Sequence, residues 1–419
     1  MQILYPRCAG LDVHQKTVVG CVRLVEGDQV TNQVRTFATT AKGLLDLAAW
    51  LVHNGCTHVA MEATGVYWRP VWQVLEAEFN ANNLILANAH HIKNVPGRKT
   101  DVNDATWIAQ LLAHGLIRSS FVPPPQIQQL RELTRDRKQM VAEQTRHVQR
   151  IHKLLEESSL KLATVLSDVM GKSGRAILSA LVRGESEPVK LAALADRRVA
   201  ASSEQLQEAL RGNMTTSRRV RLQLHLNLYD ELQRAIDKLD EQINEELRPF
   251  RTSYELLLTI PGVGETVAQV LVAEIGVDMT RFPTPGHLLS WGGLCPGHKE
   301  SAGKRKSSRL RKGAPWLKAM LMQAAWAAVK VKKTYLRAQY LRLKGRMHIK
   351  KAIAAVAASM LKAVYYMLRD QVPYQDLGVD YFEKRKPGTK LLRLVKQIEN
   401  LGLKVQMDPE AMGKLRIAA

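Results

Sequence analysis

The chain opens with two short β-branched apolar runs, Gly10–Val13 and Thr17–Leu24, and the mixed stretch Gln33–Phe37 can return as a third strand. Glu26-Gly27-Asp28 supplies the turn between the second and third, so the pattern predicts three strands in a meander. The apolar period then lengthens to that of a helix over Ala41–His53. A short run His58–Met61, a helix around Trp68–Phe79, a run Leu84–Ala87 and a helix from Asp101 to about His114 follow. A meander continued by alternating helices and strands predicts an α/β unit, a mixed sheet with helices on its faces.

That order suits a ribonuclease-H-like sheet. Pro123-Pro124-Pro125 cannot continue a helix, which places a boundary there and makes residues 1–122 the first domain. Residues 126–252 read as helical. Leu222, Tyr229, Ile236 and Ile243 recur every seven residues with Leu232 and Leu239 between them, the signature of a coiled-coil seam or a long helical hairpin. Ile127, Leu130, Val141, Val148, Ile151 and Leu155 form a weaker copy, broken by Arg137 and Gln144. The polar stretch from Gly184 to Ser217 suggests short helices or loops. A third domain, residues 253–371, starts with Ile260-Pro-Gly-Val-Gly-Glu, which looks like the turn of a helix-hairpin-helix. There Gly262 and Gly264 would offer backbone N–H groups to a phosphate at a helix N-terminus; a purely structural turn with Gly264 relieving strain would leave the same residues. Ala352–Leu368 reads as a buried helix, and residues 372–419 as a tail of mixed character.

Charge changes the picture for the third domain. The 419-residue chain carries a formal charge of +22, and between Cys295 and Lys351 there are 17 Lys/Arg against the single acid Glu300. So concentrated a basic surface is the footprint of a polyanion, because each neutralised phosphate releases counterions. Solvated basic faces and anionic-membrane patches share that composition, and nucleic acid explains its concentration better. The N-terminus has no charged segment followed by an apolar run, and the apolar stretches Ala319–Val329 and Ala352–Leu368 are too short, or interrupted by Lys362, to span a bilayer. A cytoplasmic protein without a membrane partner is therefore expected. Cys8, Cys21, Cys56 and Cys295 form no CxxC pair and read as core fillers.

Candidate chemistry lies in the acids of the first domain. Asp12 ends the first strand in GLDVHQK, Glu62 ends another in HVAMEATG, and Asp101 and Asp104 stand three apart at a helix start in KTDVNDA. Carboxylates from three elements meeting at one sheet edge would suit Mg2+ or another hard divalent ion such as Mn2+, which binds a few carboxylates plus substrate phosphate. Taken singly, each acid could equally cap a helix or stabilise a turn. His14 and the pair His90-His91 fall nearby and are left out of this site, as are Tyr67 and Trp68, which read as core packing. In the third domain the run CPGHKESAGKRKSSRLRKG sets Ser301, Ser307 and Ser308 among Lys299, Lys304, Arg305, Lys306, Arg309, Arg311 and Lys312, as a phosphate-binding arm or as the home of a nucleophile.

GLDVHQKT, AMEATGVYW and GRKTDVNDA, then LLLTIPGVGETVAQVLVAEIG, then LLSWGGLCPGHKESAGKRKSSRLRKGAPWLK, in this order, resemble the transposases of the insertion-sequence 110 family from about Ala9 to Leu368. The resemblance implies a RuvC-like first domain whose DEDD metal site is Asp12, Glu62, Asp101 and Asp104, a helical coiled-coil region, and a mainly helical transposase domain. It implies that Ser301 is a nucleophile that becomes linked to a DNA 5′ phosphate. It further implies donor and target double-stranded DNA, a structured guide RNA from the same element, and dimers that pair into tetramers with composite active sites. After the serine the family's SGxxxG-like spacing is here SAGKRKSSR, one residue longer, which keeps Ser307 and Ser308 as alternatives. Two other functions fit parts of the chain: a metal-dependent Holliday-junction-type endonuclease, and a helix-hairpin-helix protein that binds DNA without enzymatic activity.

Overall fold

The computed structural model describes residues 2–63, 65–80, 83–87, 92, 104–117, 119–297, 299–301, 304–307, 309–385 and 395–402. The chain divides into two compact units, Met1–Val122 and Pro123–Ala419. The first contains β1 (Arg7–Val13), β2 (Thr17–Glu26), β3 (Gln29–Ala38), α1 (Ala41–His53), β4 (His58–Glu62), α2 (Trp68–Leu75), β5 (Leu84–Ala87) and α3 (Asp104–Ala113). Its sheet has the order β3-β2-β1-β4-β5, antiparallel across β3, β2 and β1 and parallel from β1 through β4 to β5. The meander needs only tight turns, whereas the parallel strands need crossovers, and α1 and α2 provide them.

Alternation along the strands fixes the two faces. Ala9, Leu11 and Val13 of β1, with Val59 and Met61 of β4, pack against Leu44, Leu47 and Leu51 of α1 and Val71, Trp72 and Leu75 of α2. The opposite face presents Cys8 and Ala60 to Ile108, Leu111 and Leu112 of α3, and Cys21 to Ala105 and Ala109. Cys8, Cys21, Cys56 and Cys295 are free thiols, the first three buried, and burial pushes Cys8 and Cys56 up to about 12, so they are inert core residues at neutral pH.

The second unit begins with α4 (Pro125–Glu157), whose first residue is the third proline of the triplet, a position where the missing N–H costs nothing. After α5 (Leu162–Val165), α6 (Lys172–Arg183), α7 (Pro188–Ala192) and α8 (Ser203–Ala209) comes α9 (Thr216–Glu246). Helices α4 and α9 pack against each other along much of their length. Leu222, Ile236 and Ile243 of the seven-residue pattern are buried, and Leu226 joins them. Arg137 and Gln144, which break the apolar pattern of α4, are paired across it: Arg137 with the Asp240 carboxylate, and Gln144 Nε2 donating to Gln233 Oε1 at 2.8 Å.

The chain continues through α10 (Arg251–Leu258), α11 (Glu265–Ile275), α12 (Pro285–Trp291), strands β6 (Lys299–Ser301) and β7 (Lys304–Ser307), α13 (Pro315–Ala328), α14 (Tyr335–Lys344), α15 (Ile349–Asp370) and α16 (Tyr381–Arg385). Helix α15 extends beyond the predicted Ala352–Leu368 and is long and apolar enough to cross a membrane by length and composition. Its apolar residues are spent on packing instead: 61% of its most apolar window is buried, against α10, α12, α13 and α14. The segment after α15 folds back, with Tyr374 N donating to Thr259 Oγ1 at 2.9 Å and Asp376 accepting from Tyr335 N at 2.9 Å.

Candidate active site

In parallel register Leu11 pairs with Met61, so Asp12 and Glu62, the next residue on each strand, sit side by side at the C-terminal ends of β1 and β4. Strand neighbours lie about 5 Å apart, a separation two carboxylates can share across one cation. Both belong to the face that α3 covers, since each stands two residues beyond one that meets the helix there, Gly10 and Ala60. Helix α3 comes close because Gly10 has no side chain: a Cβ there would lie 2.3 Å from Ala105 O and 2.3 Å from Ala109 N. The helix starts at Asp104, which is exposed. Asp101 lies outside the described residues, as do His90 and His91.

Three of the four predicted acids therefore belong to adjoining elements on one side of one sheet. Among the described residues no three Asp, Glu, His or Cys side chains stand close enough to hold a metal ion as they are. The donor chemistry nevertheless fits a hard divalent cation, being carboxylate oxygen throughout. His14, set aside on sequence grounds, touches the site: its Nε2 lies 2.9 Å from Asp12 Oδ2. Spacing two apart near the end of a strand was the available signal, because i and i+2 share a face. Trp68 packs edge-on against Trp72, as core packing requires, while Tyr67 is exposed.

The serine run forms an arm. Gly297 N donates to Arg309 O at 2.9 Å and Arg311 N to Cys295 O at 3.0 Å, closing its base, while β6 and β7 pair antiparallel beyond. Ser301 ends β6 opposite Lys304, and Ser307 lies nearer the base, opposite Lys299. Ser307 Oγ accepts from Arg309 N at 3.2 Å, whereas Ser308 is outside the described residues. Of the predicted basic contacts, Arg309 and Lys312 are exposed, and Arg311 is engaged by its own fold, donating to Ser290 Oγ at 2.8 Å. The glycines of the α10–α11 turn also separate. Gly262 has φ +83° and a Cβ on it would lie 2.4 Å from Ala328 N, whereas Gly264 has an ordinary φ of −101° and open space around it. Strain relief in this turn thus belongs to Gly262, not Gly264.

Residues 9–159 match the family model of the DEDD transposase domain of IS110 elements, and residues 254–341 match that of the IS116/IS110/IS902 transposase family. The chain is 31% identical over 307 residues to the "Insertion element IS110 uncharacterized 43.6 kDa protein" of Streptomyces coelicolor, covering 67% of this chain and 73% of that protein. The chain belongs to the IS110 family of transposases. This transposase is also 25% identical over 326 residues to the "Insertion element IS116 uncharacterized 44.8 kDa protein" of Streptomyces clavuligerus, covering 69% of this chain and 79% of that protein. It is a DNA-binding enzyme of DNA recombination, and its mixed sheet is consistent with a RuvC-like domain. The two matched segments contain the acid face and the serine arm respectively, while residues 372–419 fall outside both.

Proposed function

We propose that this transposase cuts and rejoins DNA through a covalent phosphoserine link. In this reading Asp12, Glu62, Asp101 and Asp104 hold Mg2+ or Mn2+, and Ser301 is the nucleophile. The observation that carries it is the register placing Asp12 beside Glu62 on the face where α3 begins. A divalent ion there would neutralise charge on the scissile phosphate. Ser301 Oγ bonds to phosphorus, the P–O3′ bond breaks, and the serine proton ends on the departing 3′ oxygen; rejoining reverses each transfer. No water is consumed, so the phosphodiester energy is conserved. Lys299, Lys304, Arg305 and Lys306, flanking Ser301 in sequence, stabilise the charge that develops on the phosphoryl oxygens. Ser307 is the weaker candidate because its oxygen already caps the backbone of Arg309.

In the same reading residues 1–122 are the RuvC-like catalytic domain and residues 126–252 the coiled-coil region through which copies associate as dimers and tetramers. Residues 253–371 form the serine domain, with Gly264 at a helix-hairpin-helix phosphate contact. A structured guide RNA pairs with donor and target DNA. The test is to incubate enzyme, its copurifying RNA and labelled DNA, then denature. Protein-linked DNA lost in Ser301→Ala but kept in Ser307→Ala supports the reading, as does loss on ribonuclease treatment or chelation. Cleavage that leaves no protein on the DNA makes the chain a metal-dependent nuclease instead.

A further inference from the structure

Helix α13 turns Leu317, Leu321, Ala324 and Ala328 into the core, which leaves Ala319, Gln323, Trp326 and, just past its end, Lys330 on its outer stripe. One of the two tryptophans of the helix is thus on its wet side: whereas Trp316 is half-buried beneath Arg135 and Lys138, Trp326 is 42% exposed. It is not alone there. Tyr340 of α14 stands beside it, ring centroids 6.4 Å apart and planes at 61°. The spacing is held from below. Arg337 Nη1 donates to the carbonyls of Val329 and Lys330 at 3.1 and 3.3 Å, fastening α14 to the end of α13, and Gln339 Nε2 donates to Ser359 Oγ on α15 at 2.8 Å. The small and polar neighbours Ala319 and Gln323 leave the indole uncovered.

The charge around this pair has one sign. From Ser301 to Arg369 the sequence has 18 Lys/Arg and no Asp or Glu. Lys330 follows Trp326 by four residues and Lys344 follows Tyr340 by four; both are exposed, and among the described residues neither has an acidic partner. A second copy of the chain would bring an equally basic face, so like charge disfavours it. Duplex DNA would satisfy the lysines but hides its base faces in the stack, leaving the rings without a partner. An unpaired strand satisfies both, because its bases stack on aromatic rings while flanking phosphates meet cations. Strand exchange by a DNA transposase exposes such strands.

We propose that Trp326 and Tyr340 form a stacking platform for an unpaired base of single-stranded DNA, with Lys330 and Lys344 taking the neighbouring phosphates. The proposal rests on family membership and is independent of the serine mechanism. The test uses full-length protein and fluorescence anisotropy with a labelled thymine strand of about 15 nucleotides, within the size range of single-strand sites. A duplex of the same length and a uridine RNA serve as the other arms. Trp326→Ala should weaken the DNA strand by about tenfold, since one stacked base contributes roughly fivefold to a hundredfold. Duplex affinity and the salt dependence should be unchanged, and Trp326→Phe should retain most of the binding. Lys330→Gln with Lys344→Gln should instead lower the salt slope by about 1.4, at roughly 0.7 per phosphate on a single strand. Equal loss of duplex binding, no loss on the DNA strand, loss confined to RNA, or dissociation of an oligomer without loss of DNA binding would each overturn the proposal.

Discussion

Gly10 on β1 lies directly beneath Ala109 on α3, so close that a Cβ on the glycine would sit 2.3 Å from the alanine's backbone nitrogen. That contact sets the height of α3 over the sheet, and with it the level at which the helix begins at Asp104. The nearest atoms are backbone, so no side chain can rotate away. Gly10→Ala should destabilise the first unit by about 3 kcal/mol, at the upper end for overpacking. DNA cleavage should fall further than the unfolded fraction explains, because α3 is lifted from the acids. Urea melts and cleavage assays on the same samples check both parts.

The α10–α11 turn separates a structural glycine from a functional candidate. Gly262 combines φ +83° with a Cβ position 2.4 Å from Ala328 N and 2.6 Å from Ala324 O, so Gly262→Ala meets both strain and a clash. It should cost 2 kcal/mol or more, roughly the sum of a left-handed penalty and overpacking. Gly264 has neither constraint. Gly264→Ala should melt within about 0.5 kcal/mol of the parent, so a drop in DNA affinity there reports on phosphate contact and not on folding. Thermal melts paired with duplex binding distinguish the two glycines.

Much of this architecture is legible in the sequence because period and punctuation carry it. Leu84–Ala87 and Ala41–His53 match the structure residue for residue, and the near-continuous apolar runs of β1 and β4 fit strands buried on both faces. Asp12 and Glu62 could be placed because they fall at the ends of apolar strand runs, and Asp104 because it opens a helical pattern. Other features depend on contacts between distant residues and leave no periodic trace. The His14–Asp12 bond needs a side-chain rotamer, and the partners of Arg137 and Gln144 lie 103 and 89 residues away. Read along the chain, those two are interruptions in an apolar seam; in the structure they are its paired polar positions. The backfolded segment after α15 was equally opaque, since Tyr374 and Asp376 are held by Thr259 and Tyr335 and not by local pattern.

A buried ion pair ties α4 to α11. Glu274 is 1% exposed and receives both Nε and Nη2 of Arg135, at 2.8 and 3.0 Å, while Arg131 donates to the Ala273 and Glu274 carbonyls at 3.1 and 2.6 Å. The Arg135 guanidinium also lies over the Trp316 ring, 5.6 Å from its centroid, where α13 begins after the serine arm. Removing Arg135 leaves the buried Glu274 carboxylate with the more distant Arg131, whose Nε lies 3.7 Å away. Arg135→Ala should therefore cost about 3 kcal/mol, the low end for a broken buried pair because Arg131 still faces the carboxylate, whereas Arg135→Met with Glu274→Leu should recover part of that loss, Arg131 then keeping its bonds to the Ala273 and Glu274 carbonyls. Urea midpoints for the single and double variants decide between an ion pair that stabilises and one that only has to be kept whole.

The α4–α9 pair also carries a proton-sensitive contact. His147 Nδ1 faces His225 Nδ1 at 3.2 Å, so the pair can share at most one proton between these atoms without repulsion. Both imidazoles are held below their ordinary value of 6.5. For His147 the causes are burial and Arg150, offset in part by Glu143; for His225 they are burial, His147, Arg150 and Arg221. In the unfolded chain both recover the ordinary value, so below about pH 6.5 the unfolded state binds more protons than the folded one and stability rises with pH. The contribution is whole above that pH and is lost as pH falls from it through the lower folded-state values. Melts between pH 8 and pH 5 should show the helical unit weakening on the acid side, and His225→Gln should flatten the slope by keeping a neutral partner at every pH. If the slope is unchanged in His225→Gln, the acid sensitivity lies with other groups and the facing imidazoles are passive.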